Sequence, residues 1–171
     1  MPDPLVHLVC GSTGAGKTTY ARRLADSMGG LQISIDQWMT ALFWMDSPQP
    51  LDPTWSIARV GRCMDQIWTV AAQVAARGTP CVLDLGFTRF KERSLFAERA
   101  REAGLPLRLH VLDVPKEERW RRVVSRNQGD TNQLEFAVTR EMFDFVEAMW
   151  EPPTEVEMAA CDGILVSNGE S

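Results

Sequence analysis

The stretch Gly11-Ser12-Thr13-Gly14-Ala15-Gly16-Lys17-Thr18 constrains this chain more than any other. It lies between a short apolar run, Leu5–Cys10, and a segment of helical period in which Tyr20, Ala21, Leu24, Ala25 and Met28 share a face. Glycines and small residues let successive backbone N–H groups turn inward at a helix N-terminus, which makes a cradle for an anion. With Lys and Thr in its last two places the motif is a complete phosphate loop. Lys17 is placed to reach the β- and γ-phosphates of a nucleotide, and the Thr18 hydroxyl to complete the shell of a Mg²⁺ ion. Gly11 through Gly16, with Lys17, Thr18 and Thr19, form the expected nucleotide-binding set. Strand, loop and helix in that order also open a βαβ unit, so the motif asks for a parallel sheet.

The rest of the chain continues the alternation. Leu31–Ile35 reads as a second strand ending at Asp36, and Gln37–Met45 as a helical segment rich in large side chains. Asp46–Pro53 breaks regular structure, and Thr54–Arg77 carries a long helical pattern stopped by Gly78. Pro80–Leu85 is a third strand and Arg89–Ala103 a helix ended by Gly104. Leu107–Val114 is a fourth strand, and Pro115 opens the next helix in its favoured first position. Asn127–Gln133 is a polar loop, Leu134–Trp150 a helix halted by Pro152–Pro153, and Gly163–Val166 a last strand. Such an order predicts an α/β fold with a mainly parallel sheet and right-handed crossovers. Ligands in these sheets bind outside the carboxyl ends of the strands. The phosphate loop, Asp36 and Asp84 all fall there.

At 171 residues the chain has room for one domain with a real core. A formal charge of −5 argues against a surface built to grip nucleic acid. Cys10, Cys63, Cys81 and Cys161 are far apart, with no C-x-x-C pair and only two histidines, so no zinc site is expected. Buried free thiols in a reducing compartment are the expected state. The N-terminus lacks the basic start and apolar stretch of a secretory signal, and no run approaches a membrane span. A cytoplasmic protein is the expectation.

Held phosphate can serve a switch, a motor or a kinase. A GTPase needs N-K-x-D and D-x-x-G; the first is absent, and in Asp84-Leu85-Gly86 the glycine comes one position early. A motor needs more chain for coupling domains. What remains is a small kinase, which requires a base for the acceptor hydroxyl, a substrate pocket and mobile cations over the transferring phosphoryl group. Asp36 is the candidate base, its alternative being a helix N-cap. Asp84 is the candidate partner of Thr18 at the metal, an acid at a strand end that can hold Mg²⁺ through water, its alternative being a turn cap. On the helix from Pro115, Trp120, Val123 and Val124 form the expected buried stripe. Arg122 and Arg126 are the expected lid cations, and Arg119 and Arg121 a solvated face paired to Glu117 and Glu118.

These residues carry a resemblance. "GSTGAGKTTYARRL", "SID", "VLDLGFTRFKERSLFAERAREAG" and "LDVPKEERWRRVVSRN", over roughly residues 5–128, resemble the P-loop kinase group that includes the polynucleotide 5′-kinase domain. Chloramphenicol phosphotransferase and the zeta toxins are more distant members. The resemblance implies a three-layer P-loop kinase fold with a five-stranded parallel sheet of order 2-3-1-4-5 and a helical lid. On it Asp36 is the general base, Lys17 contacts phosphates, and Arg122 and Arg126 contact the nucleotide and the transferring phosphate. One departure matters: polynucleotide kinases resemble D-x-x-R after the second strand, and here Met39 takes the arginine's place. Trp38 and Trp44 are candidate pocket walls, and Arg59 and Arg62 are expected on a solvated face, the alternative being contact with an anionic substrate.

The expectation is a single kinase domain over residues 1–171, using ATP and Mg²⁺ to phosphorylate a small-molecule hydroxyl. Its lid lies at about 119–133 and its substrate-binding helices at about 37–77. A polynucleotide 5′-hydroxyl kinase and a nucleotide-dependent ATPase module are the alternatives. The C-terminal "VSNGES" is a candidate adenine border.

Overall fold

Alternation along the strands builds the two sides of the molecule. In β1 (Val6–Cys10) every residue is buried, and successive side chains point to opposite faces. Val6, Leu8 and Cys10 enter one core with Ile67, Ala71 and Ala75 of a long helix and with Phe96. Val9 enters the other with Ala21 and Ala25 of the helix after the phosphate loop. β3 (Cys81–Asp84) and β4 (Leu107–Leu112) divide likewise, Cys81, Leu83, Leu109 and Val111 to the first core and Val82 and Leu112 to the second. Burial on both faces is why these runs read as continuous apolar stretches.

The computed structural model describes residues 3, 5–50, 52–128 and 138–167. Within them, β2 (Leu31–Ser34), β3, β1, β4 and β5 (Ile164–Val166) form an all-parallel sheet in the order β2-β3-β1-β4-β5. The helices are α1 (Lys17–Met28), α2 (Ile35–Phe43), α3 (Pro53–Ala75), α4 (Phe90–Glu102), α5 (Lys116–Gln128), α6 (Arg140–Met149) and α7 (Glu155–Ala160). Among the described residues no helix is long and apolar enough to cross a membrane. All four cysteines are buried and free.

Several features differ from the sequence expectation; α5, for one, runs on to Gln128 through the start of the polar loop expected from Asn127. β2 stops at Ser34, whose hydroxyl caps α2 by accepting from the Gln37 N–H, so the helix starts before Asp36. α6 begins only at Arg140, where the Thr139 hydroxyl accepts from Met142 N–H as N-cap; residues 134–137 of the expected helix lie outside the described ones. α7 has no counterpart in the expectation. It is a short helix capped by Thr154 directly after Pro152–Pro153, too brief to carry a periodic signal. Met45, grouped by sequence with the large side chains of the second helical segment, is 92% exposed in a 3-10 turn (Trp44–Asp46).

The Candidate Active Site

The phosphate loop leaves β1 at Cys10 and enters α1 at Lys17. Gly14 has φ +80, and a Cβ there would come within 2.6 Å of the Arg119 carbonyl oxygen. Gly16 has φ +90 and is the N-cap of α1, with no side chain closing the helix end. A side chain at either place would strain the turn, and the uncapped N–H groups of α1 are the donors that an anion would satisfy.

Lys17 lies half-buried over its own loop, donating to the carbonyls of Gly11 at 2.9 Å and Ser12 at 3.1 Å. Burial pulls its ammonium pKa below the ordinary lysine value, against the opposing pull of Asp84 and Asp36. The same burial raises the Asp84 carboxyl, countered by the Thr18 hydroxyl and by Lys17. Thr18 donates from Oγ1 to Asp84 Oδ2 at 2.7 Å. Two hard oxygen donors are thus in contact where the motif asks for Mg²⁺, and the pair fits that ion. No three His, Cys, Asp or Glu side chains gather into a metal cage among the described residues. A Mg²⁺ ion at Thr18 and Asp84 would complete its shell with water and phosphate oxygens.

Asp36 stands in the first turn of α2, exposed. Because Ser34 is the N-cap, the capping alternative for Asp36 is excluded. Register supplies its position: Ser34 pairs with Asp84 across β2 and β3, and β3 pairs with β1. Asp36, Asp84 and the phosphate loop therefore end three adjacent strands. Asp36 is two strands from the loop, roughly 10 Å in the hydrogen-bonding direction. That gap is wide enough for a small acceptor.

Arg122 reaches the loop from α5, its Nη1 3.4 Å from the Ala15 carbonyl, while Nη2 donates to Glu118 at 2.6 Å. Arg126, one turn further on, is exposed. Together with Glu118, Arg121 and Ser125 these two line an open cleft of about 520 Å³. Of the loop set, Thr19 is exposed in the first turn of α1, and Ser12 and Ala15 are buried. The segment 129–133, expected as part of a lid, and residues 168–171 of "VSNGES" lie outside the described residues.

Arg119 overturns an expectation. It is not on a solvated face but 5% exposed, donating to the carbonyls of Val114 at 2.8 Å and Thr13 at 3.2 Å. Its remaining donors grip Glu147 of α6, Nη2 to Oε1 at 2.7 Å and Nη1 to Oε2 at 2.8 Å. Glu147 also accepts from the Ser12 hydroxyl. These bonds, the one from Arg119 first, hold its carboxyl below the ordinary glutamate range. Arg119 and Val123 are the buried positions of α5, four residues apart on one face. That spacing was visible in sequence; the charge masked it. Glu147 carried no local signal at all.

A second buried pair supports the loop after β3. Arg93 and Glu157 are joined at 2.5 Å with side chains 1% and 4% exposed. Arg93 Nη1 also donates to the carbonyl of Phe87, which has a φ of +44, uncommon for a bulky residue.

The AAA_33 family model, described as an AAA domain, matches residues 6–152. None of the curated proteins matches the chain in sequence. Solved structures share its fold at low identity. A sugar kinase from Janibacter sp. HTCC2649 is 18% identical with a TM-score of 0.62, covering 96% of this chain and 86% of that one. A gluconokinase from Sinorhizobium meliloti 1021 is 16% identical with a TM-score of 0.57, over 97% and 83%. Chaetomium thermophilum Kti12 in complex with ADP-AlF3 is 15% identical with a TM-score of 0.65, over 96% and 89%. The likeness is one of fold, a P-loop fold used by nucleotide-dependent enzymes.

Proposed function

The chain belongs to the AAA_33 family of AAA domains, and on that footing we propose that it is an ATP- and Mg²⁺-dependent kinase acting on a hydroxyl of a small molecule. The observation that carries this reading is the meeting of three parts at the ends of adjacent strands: Lys17 on its loop, the Thr18–Asp84 pair, and Asp36 across a gap. A carboxylate set across a gap from the phosphate loop is what a transfer to an acceptor hydroxyl requires. The sugar kinase and gluconokinase among its structural relatives agree in kind.

In this reading the loop N–H groups and Lys17 bind the β- and γ-phosphates. Bound Mg²⁺ supplies charge neutralisation at the phosphate oxygens, held through Thr18 and Asp84. Asp36 orients the acceptor hydroxyl in line and takes its proton as the new O–P bond forms and the bond to the leaving ADP oxygen breaks. Arg122, and Arg126 beyond it, offset the charge that spreads over the transferring group. Met39 in place of an arginine, and a net charge of −5, favour a small acceptor over a polynucleotide.

The test is a pool of hydroxyl-bearing metabolites and antibiotics incubated with ATP and Mg²⁺ and read by mass for gain of one phosphoryl group. A product that appears with the wild type and vanishes with Lys17→Ala supports the reading. ATP hydrolysis with no phosphorylated product from the whole pool would overturn it in favour of a nucleotide-dependent module.

A further inference from the structure

Helix α3 presents a stripe at four-residue spacing. Ala75, Ala71, Ile67 and Cys63 are buried in turn against the sheet. The next position in that stripe is Arg59, half-buried. Its guanidinium stacks on Trp55 with the central carbon 3.9 Å from the ring centroid, and lies 5.7 Å from the ring of Phe43 on α2. Its hydrogen bond among the described residues goes to the Trp55 carbonyl at 3.1 Å, which leaves most of its donors without a protein acceptor.

The other arginines show how unusual that is. Among the described residues, Arg93, Arg99, Arg108, Arg119, Arg122 and Arg140 are withdrawn from solvent and each has a carboxylate partner. The rest, except Arg59, are exposed. Arg59 alone among them is both withdrawn and without an acid. A guanidinium held over an aromatic face, its fork largely unspent, is pre-organised for a carboxylate or phosphate.

Its place ties it to the site. Asp36 and Phe43 are both on α2, two turns apart, so they share a face about 10 Å apart along the axis. Arg59 packs at the Phe43 end of that face and Asp36 is at the other. We propose that Arg59 on its Trp55 platform is the subsite for an anionic substituent of the acceptor, and that the acceptor is a sugar-sized hydroxy acid or sugar phosphate. Its hydroxyl lies at Asp36 and its anion at Arg59. This rests on the kinase reading for the hydroxyl end and on Arg59 itself for the anion end.

The probes are gluconate, glucose 1-phosphate, sorbitol and glucose. Each is titrated calorimetrically into the ADP-loaded protein and then assayed for phosphoryl transfer from ATP. The expected result is binding of at least one anionic probe roughly 10- to 100-fold tighter than its neutral counterpart, the range of a charge-assisted hydrogen-bond pair. Arg59→Met should abolish the difference. Arg59→Lys, which keeps charge and stem but loses the fork, should retain part of it and controls for folding. Preference for gluconate assigns a carboxylate, and preference for glucose 1-phosphate a phosphate. Equal binding of anionic and neutral probes, or a preference that Arg59→Met leaves intact, overturns the subsite even if the kinase reading stands. Anion binding lost in Arg59→Met, with no transfer to these probes or to any member of the hydroxyl pool, keeps the subsite and removes the kinase reading.

Discussion

Arg119 and Glu147 meet as a two-pronged ion pair against the phosphate loop, and the same carboxylate takes the Ser12 hydroxyl while the same guanidinium takes the Thr13 carbonyl. Two consecutive loop residues are thus held by side chains from α5 and α6. Glu147→Gln should weaken nucleotide binding by about 10- to 100-fold, the loss of a hydrogen bond to a charged group. Arg119→Lys should not substitute, because an ammonium cannot make both prongs together with the two backbone bonds. Equilibrium binding of ADP to each variant checks this, and unchanged affinity in Glu147→Gln would show that the loop keeps its shape without the pair.

Asp36→Asn should leave ATP affinity close to that of the wild type and lower transfer to the acceptor by about 100-fold or more, the usual range for a general base. Steady-state kinetics with separate KM values for the two substrates distinguish this from a binding defect. An Asn variant with wild-type turnover would reduce Asp36 to a surface carboxylate.

Thr18 and Asp84 share a hydrogen bond that a metal ion would replace. Asp84→Asn should raise the Mg²⁺ concentration for half-maximal turnover by about 10-fold or more, because the amide takes away the anionic oxygen that would help hold the ion. A Mg²⁺ titration of the variant at saturating ATP measures it.

Glu157→Gln should destabilise the fold by about 3–5 kcal/mol, since Arg93 is left buried without its counter-charge. The double change Arg93→Met with Glu157→Leu should recover much of that loss, because both desolvation penalties go together. Urea denaturation of the three proteins provides the comparison.

His110 lies 2% exposed between His7, whose Nδ1 is 2.9 Å from its Nε2, and the Tyr20 hydroxyl at 2.8 Å from its Nδ1. Burial, then the neighbouring His7 and Arg108, push its pKa down to about 3, with Asp162 opposing. The folded protein therefore keeps His110 neutral while the unfolded chain takes up a proton below the ordinary histidine value near pH 6.5. The stability this contributes is complete above that value and declines as pH falls toward 3, by roughly 1.4 kcal/mol per pH unit. His110→Gln should flatten the acid limb of a stability profile measured between pH 7 and pH 4.5.

What the sequence determined is local or repetitive. The phosphate loop is readable because its task is performed by consecutive backbone groups, and the strands because burial on both faces makes them apolar throughout. Asp84 was legible from its place at a strand end, and so was Asp36, although Ser34 rather than Asp36 caps the helix. Helical spacing likewise singled out Arg122, which the fold brings to the Ala15 carbonyl. The residues that brace the site were decided only in three dimensions. Arg119 reads as solvated until Glu147 arrives from another helix, residues 119 and 147 being brought together by the packing of α6. Arg93 needs Glu157 of a six-residue helix that periodicity could not reveal. Arg59 reads in sequence as surface with an anionic substrate as the alternative, and only the stripe from Ala75 to Cys63 and the Trp55 ring set it apart from Arg62. A charge is stabilised inside a protein only by a partner or a ligand, and which of the two it has depends on what the fold places beside it.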